Sequence, residues 1–275
     1  MTIPWNSVKL FRAAIHLWVI GFLLSAMPEA EWLWDFPVSP ELPAPPGPFS
    51  GFTHAFRTWL PGEVAVFIAP LVVLLCLRNL LRPARWWSAL IVWMLYTSLM
   101  NRAWMAGSGG QQLISNLLFW LIFLPDGSRT ASPDGWRSVL GTSAFWILRL
   151  QLLLAYAATG LHKLTGTHWL DGTALGIVAT DPAYGPLWLA QFPTAAMALT
   201  WAVLVFQLTF PIAVWFRRTR VPWMVIGIAF HLGTAFALGI AEMAFAFLAA
   251  YPIWLNEEEA ARITRVLLGR RESSG

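Results

Sequence analysis

The sequence predicts an all-α polytopic integral membrane protein with about eight transmembrane helices, and three observations carry that prediction. The 275 residues are 57% hydrophobic and only 12% charged, with a mean hydropathy of +0.60, whereas a soluble chain carries about 25% charged residues. The apolar residues fall into helix-length blocks, as a hydrocarbon layer about 30 Å thick demands. The basic residues sit in short clusters between those blocks, the pattern that sets topology in a bilayer.

The first block runs from Phe11 to Met27, behind Lys9 and Arg12. It is nearly long enough to span, and no small-residue cleavage site follows it, so it reads as a first helix rather than a cleaved signal. The polar, proline-rich stretch from Pro28 to Gly62 reads as a loop, since prolines at that density deny helix hydrogen bonds. Blocks at Glu63–Leu81 and Trp86–Met105 flank RNLLRPAR, and a short fourth block covers Gln111 to Leu124. After the polar DGSRTASPDGWR, a fifth helix is expected over Ser138–Leu164, then a loop over Thr165–Gly185. A sixth helix spans Pro186–Phe216, bent at Pro193 or closed at Pro211. Val221–Leu255 is too long for one ordinary helix; two helices turning near Gly239–Glu242 fit it better, with one long tilted helix as the alternative. Of the eighteen Trp, many stand near block ends (Trp32, Trp34, Trp59, Trp86, Trp87, Trp104, Trp169, Trp254), where an interfacial belt would place them.

Eight crossings put RNLLRPAR, SRTASPDGWR, RRTR and the C-terminal stretch on one side of the membrane. The excess of arginine makes that side cytoplasmic, with both termini there. Lys163 then lies near the outer end of the fifth helix. Residues 1–255 read as one transmembrane domain and 256–275 as a cytoplasmic amphipathic tail. No repeat is visible.

Lys163 is the leading candidate for chemistry. Of eighteen basic side chains only Lys9 and Lys163 are lysines, and Lys163 ends a strongly apolar run, ILRLQLLLAYAATGLHKLTG. An ionisable group so placed is expensive unless it is paired, hydrated or neutral, and a desolvated amine is a usable base. His162 is its neighbour, and THWLDG brings His168 and Asp171 within reach as tuning groups. The competing reading is a lysine that snorkels to water from a helix end.

Arg149, Tyr156 and Lys163 are spaced by seven, roughly on one helical face, so Arg149 and Tyr156 are candidate cavity residues. Arg149 could equally snorkel, and Tyr156 could pack. His231, well inside IAFHLGTAF, is either a ligand contact or a histidine bonded to a neighbouring helix. Glu242, if buried, needs a partner such as Lys163 or Arg149. GSGGQQ offers backbone donors but reads as a plain turn.

Other chemistries find little in the sequence. The five histidines are scattered without HExxH, and the single Cys76 permits neither an intrachain disulfide nor a multi-cysteine metal site. The glycines match no Walker or dinucleotide pattern, and no GxSxG occurs. The net charge of +4 sits in topology-setting clusters rather than an aromatic and basic groove, so nucleic acid is not an expected partner.

The segment YAATGLHKLTGTHWLDGTAL resembles the region around the active-site lysine of vitamin K-dependent gamma-carboxylases and the bacterial HTTM proteins related to them. In that family an apolar helix ends in Gly, two residues and Lys-Leu, with a Trp and a Gly following; Trp169 and Gly172 match the last two. GSGGQQLISNLLFWLIFLPDG resembles the family's earlier Gly-rich helix, SPDGW its polar signature, and FHLGTAFALGI its histidine-glycine helix. The chain differs where carboxylases carry a histidine, here Gln111 or Gln112, and where relatives show Phe-Pro, here Glu242-Met243. The resemblance, over residues 10–255, implies a multi-pass protein of the bacterial inner membrane with Lys163 as catalytic base. The implied cofactor is a reduced, vitamin K-like quinone, and the implied partners are the lipid bilayer and a lipophilic small molecule or peptide substrate. The eukaryotic enzyme also uses oxygen and carbon dioxide. The rival expectation is a non-enzymatic membrane protein that supports export, maturation or immunity of a partner peptide.

Overall fold

Each apolar block closes on itself as a helix, because within a bilayer a backbone N–H or C=O has no water to turn to. The computed structural model describes residues 3–35, 61–83, 85–124, 135–183 and 185–267. In it α1 (Trp5–Ala26) continues through a 3₁₀ turn at Met27–Glu29 into α2 (Ala30–Trp34). The loop expected from Pro28 therefore starts as helix, since Pro28 sits at the start of a turn, where its missing N–H leaves no bond unmade. The remainder of that loop, including Trp59, lies largely outside the described residues, which resume at 61.

Next come α3 (Gly62–Leu81), α4 (Trp86–Arg102), a 3₁₀ turn at Trp104–Ala106 and α5 (Gly109–Leu121). GSGGQQ, read as a turn, is the start of α5. The Ser108 hydroxyl accepts from the Gly110 N–H at 3.2 Å, and the Ser108 N–H donates to Gln111 Oε1 at 2.9 Å, a reciprocal N-terminal cap. The long helix α6 (Trp136–Lys163) has 28 residues, roughly 42 Å of axis. The expected loop after it holds two short helices, α7 (Thr167–Leu170) and α8 (Ala174–Ala179).

The block expected from Pro186 is broken before Pro193 into α9 (Leu187–Ala190) and α10 (Pro193–Ala213), with Pro193 in the first turn of α10. α11 (Arg217–Ala237) and α12 (Ala241–Ala250) are two helices, turned at Gly239 with φ +68°. That left-handed conformation is one glycine adopts without a steric penalty. A 3₁₀ turn at Tyr251–Trp254 leads to α13 (Glu257–Leu267).

Among the described residues there is no strand, and five segments are long and apolar enough to cross a membrane: Trp5–Trp34, Gly62–Leu81, Trp136–Lys163, Pro193–Ala213 and Arg217–Ala237. The other three expected crossings correspond to the shorter helices α4, α5 and α12. Of these, α5 and α12 pack against each other and against α1. The chain is a multi-pass membrane protein of helical fold, whose flanks expose Leu17, Phe67, Leu74, Val205 and Phe236 to lipid.

The two ends of the bundle differ. At one end the Asn6 N–H meets Glu257, Arg12 reaches the Leu124 carbonyl, and Arg220 pairs with Glu259. At the other, Arg102 Nε donates to the Trp34 carbonyl. Of the Trp expected in an interfacial belt, Trp32 and Trp86 are exposed, whereas Trp34 and Trp254 are 1% and 2% exposed and belong to the core. Trp34 is folded inward by the short helix that extends α1, and Trp254 by the 3₁₀ turn after α12.

Candidate functional site

Lys163 is the last residue of α6, half-buried, and its Nζ lies over the Trp169 ring, 4.7 Å from the centroid. Trp169 is carried there by α7, which starts straight after the tight turn that ends α6, where the Gly166 N–H bonds the Lys163 carbonyl at 3.1 Å. Among the described residues no carboxylate comes within ion-pair distance of Lys163. The ammonium is thus located by an aromatic face rather than by a fixed anion. Beside it Leu161, Leu164 and Leu170 are exposed, an apolar approach from the lipid side.

The expected tuning groups lie in the same loop but bond one another. Asp171 Oδ1 accepts from the Thr173 N–H at 2.9 Å and from the Thr173 hydroxyl at 2.6 Å. His168 Nδ1 is 2.9 Å from the same hydroxyl and 3.8 Å from Asp171 Oδ2. The two Thr173 bonds, with a smaller contribution from His168, hold the exposed Asp171 carboxyl below its usual range. Gly172 between them has φ +83°, and a Cβ there would strike Met197 and the Trp201 ring. A side chain at this position would meet both backbone strain and a clash. His162 is exposed. The structure therefore gathers Lys163, Trp169, His168 and Asp171 around one helix end, with His168 and Asp171 engaged with Thr173.

Tyr156 and His231 meet two turns deeper. The Tyr156 hydroxyl bonds His231 Nε2, and it lies 2.7 Å from the Tyr251 hydroxyl. Phe206, Phe210 and Phe247 pack around the Tyr156 ring, and His231 stacks on Phe247 at 5.0 Å. Tyr156 and His231 are 1% and 3% exposed, so both are core residues that bond across helices. Gln207 Oε1 and His231 Nδ1 are buried without a hydrogen-bond partner among the described residues. Tyr251 was not legible as the partner of Tyr156, because nothing in YPIW marks a contact with a residue 95 positions earlier.

Arg149 is on the same helix as Lys163 but roughly 21 Å away along the axis. Its Nε donates to the Ile253 carbonyl at 3.0 Å, and its guanidinium lies 4.4 Å from the Phe145 ring centroid and 4.9 Å from that of Trp254. The cavity beside it, about 530 Å³, belongs to the charged end of the bundle. Glu242 pairs with neither Lys163 nor Arg149 within 4.0 Å; its carbonyl accepts from Trp18 Nε1.

A second buried network escaped the sequence reading. His16 Nδ1 donates to the Arg12 carbonyl, its Nε2 accepts from Asn79, and the Ser88 hydroxyl donates to Asn79. His16 and Asn79 each read as isolated polar residues in apolar helices. Among the described residues no group of three His, Cys, Asp or Glu side chains is placed to hold a metal ion.

A family model described as the HTTM domain matches residues 87–258, from the start of α4 into the start of α13. Comparison with curated proteins and with solved structures gives no match.

Proposed function

The chain belongs to the HTTM family, and on that premise we propose that it is a membrane-embedded vitamin K-dependent gamma-carboxylase-like protein. In this reading Lys163 acts as a base toward the acidic hydroxyl of a quinol or similar lipophilic compound. The observation that supports it most is the Lys163–Trp169 pair: an amine at a helix end, held on an aromatic face, with no carboxylate among the described residues to lock it as a cation. A bound quinol would supply the acidic hydroxyl and reducing equivalents, and the exposed leucines beside Lys163 suit its approach from lipid.

The chain's own residues would then act in order. The neutral Lys163 amine takes the hydroxyl proton, and the resulting ammonium rests on the Trp169 ring, which stabilises the charged product state. His162, exposed beside it, relays the proton to water. Asp171 and His168 keep the Trp169 loop in register through Thr173. Arg149 takes no part at this distance, and Tyr156 with His231 holds the helices under the site. The orientation follows the charge bias: the Arg149 end faces the cytoplasm of a bacterial inner membrane, with both termini there, and the Lys163 end faces outward.

One observation favours a second reading. Tyr156 and His231 are enclosed by packed aromatic rings, as suits a non-enzymatic membrane protein that supports export, maturation or immunity of a partner peptide. A photoreactive quinone analogue on the reconstituted protein separates the two. The catalytic reading expects adducts within residues 161–173; adducts spread over the lipid-facing helices, in no excess there, favour the second.

A further inference from the structure

The cavity at the charged end is distinct in place and chemistry from the Lys163 site. It opens between the starts of α1, α11 and α13 and the middle of α6, among Trp5, Phe145, Trp146, Arg149, Arg220 and Glu257. Its volume, about 530 Å³, falls in the range of small-molecule sites, roughly 300–1,000 Å³. Three aromatic rings make part of the wall apolar, so a hydrated ion alone would fill it poorly.

The charges in the wall are unequally satisfied. Arg220 grips Glu259 through one terminal nitrogen, at 2.8 and 3.0 Å, and its Nε is buried without an acceptor among the described residues. Arg149 gives its Nε to a carbonyl and has no carboxylate within ion-pair distance among the described residues. A guanidinium kept among rings without an anion is expensive and presents its remaining N–H groups in the geometry that phosphate oxygens accept. Glu257, held by the Asn6 N–H at 2.9 Å, adds one negative charge to the same cavity. With Arg220 paired to Glu259, the wall offers, among the described residues, the Arg149 guanidinium and the Glu257 carboxylate. A dianionic phosphate would be repelled by Glu257; a monoanion that also carries a hydrogen-bond donor would satisfy both.

We propose that this cavity binds the phosphodiester head group of a membrane glycerophospholipid bearing a hydroxyl or ammonium donor. The phosphate lies on the Arg149 guanidinium, and the donor on Glu257. The acyl chains leave along the exposed flank of α6 at Val139, Leu140 and Leu150, which is continuous with the lipid-facing surface. The site does not depend on the chemistry assigned to Lys163.

Native mass spectrometry of the full chain in mild detergent tests this, with phosphatidylethanolamine, phosphatidylglycerol, phosphatidylcholine and free glycerophosphoethanolamine added in turn. The expected result is retention of one phosphatidylethanolamine or phosphatidylglycerol, lowered about tenfold in R149Q. T142F, which fills the cavity wall without touching the Arg149 hydrogen bond, should lower it equally and guards against misfolding of R149Q. Phosphatidylcholine, which lacks the donor, should bind more weakly. Equal retention in wild type, R149Q and T142F overturns the site. Equal binding of phosphatidylcholine overturns the role of Glu257. Displacement by the free head group at equal concentration overturns the lipid and leaves a soluble ligand.

Discussion

Lys163 and Trp169, six residues apart, meet across the turn that ends α6, with the Lys163 Nζ 4.7 Å from the Trp169 ring centroid. Among the described residues, the ring is the feature that holds the amine. If it stabilises the ammonium formed on proton transfer, W169A should lower quinol-dependent turnover about fivefold, ~1 kcal/mol, at unchanged abundance. W169F should recover part of the loss. Turnover of W169A equal to wild type would show that the ring only fills space.

Y156F removes one hydroxyl while keeping the ring against Phe206 and Phe210. It leaves His231 Nε2 and the Tyr251 hydroxyl without their common partner in a buried site. The expected loss is about 1–3 kcal/mol of stability, read as a lowered thermal midpoint in detergent. An unchanged midpoint would mean that water already serves those groups.

How much of this was legible depends on the range over which each feature is encoded. Helices were legible because length and apolarity are local properties: the blocks at Glu63–Leu81 and Ser138–Leu164 became α3 and α6 within two residues at each end. The two-helix reading of Val221–Leu255 was legible through Gly239, whose conformation is a local property too. The Lys163 loop was half legible. THWLDG announced polar side chains near the lysine, but Thr173, which captures Asp171 and His168, outcompeted it by being two residues from the carboxylate. Arg149, Tyr156 and Lys163 share a helical face, yet seven residues are also roughly 10 Å of rise, so one face became three environments. The pairs Tyr156–Tyr251, His16–Asn79 and Arg220–Glu259 join distant segments and left no mark in the pattern.

Asp171 gives a pH dependence with a definite sign. Its carboxyl is held below the ordinary value of 3.8 by Thr173, so the bond is fully present above that value and is lost as pH falls through the lower, folded one. Protection of the Thr173 amide against hydrogen exchange, relative to its intrinsic rate, should therefore be constant through neutral pH and fall only in acid below 3.8. D171N, which keeps an acceptor oxygen, should retain protection across that range, and D171A should lose it at every pH. Loss of wild-type protection near neutrality would contradict the assignment.

The proposed orientation is open to labelling, because the single native thiol, Cys76, is buried. Cysteines placed at exposed Met105 and Thr167 should react with an impermeant maleimide in intact cells, and one at exposed Arg218 only after permeabilisation. Labelling of position 218 in intact cells would reverse or break the topology.

The central claim is that Lys163 works as a base, and the K163R protein in vesicles with a reduced quinone measures it most directly. Arginine supplies the same charge and can snorkel or sit on Trp169 equally well, but its guanidinium remains protonated near neutral pH and cannot accept a proton. The account predicts quinol-dependent turnover abolished in both K163R and K163A, with insertion and abundance of each near wild type. Turnover of K163R at the wild-type level would contradict base catalysis and leave Lys163 as an anchoring residue.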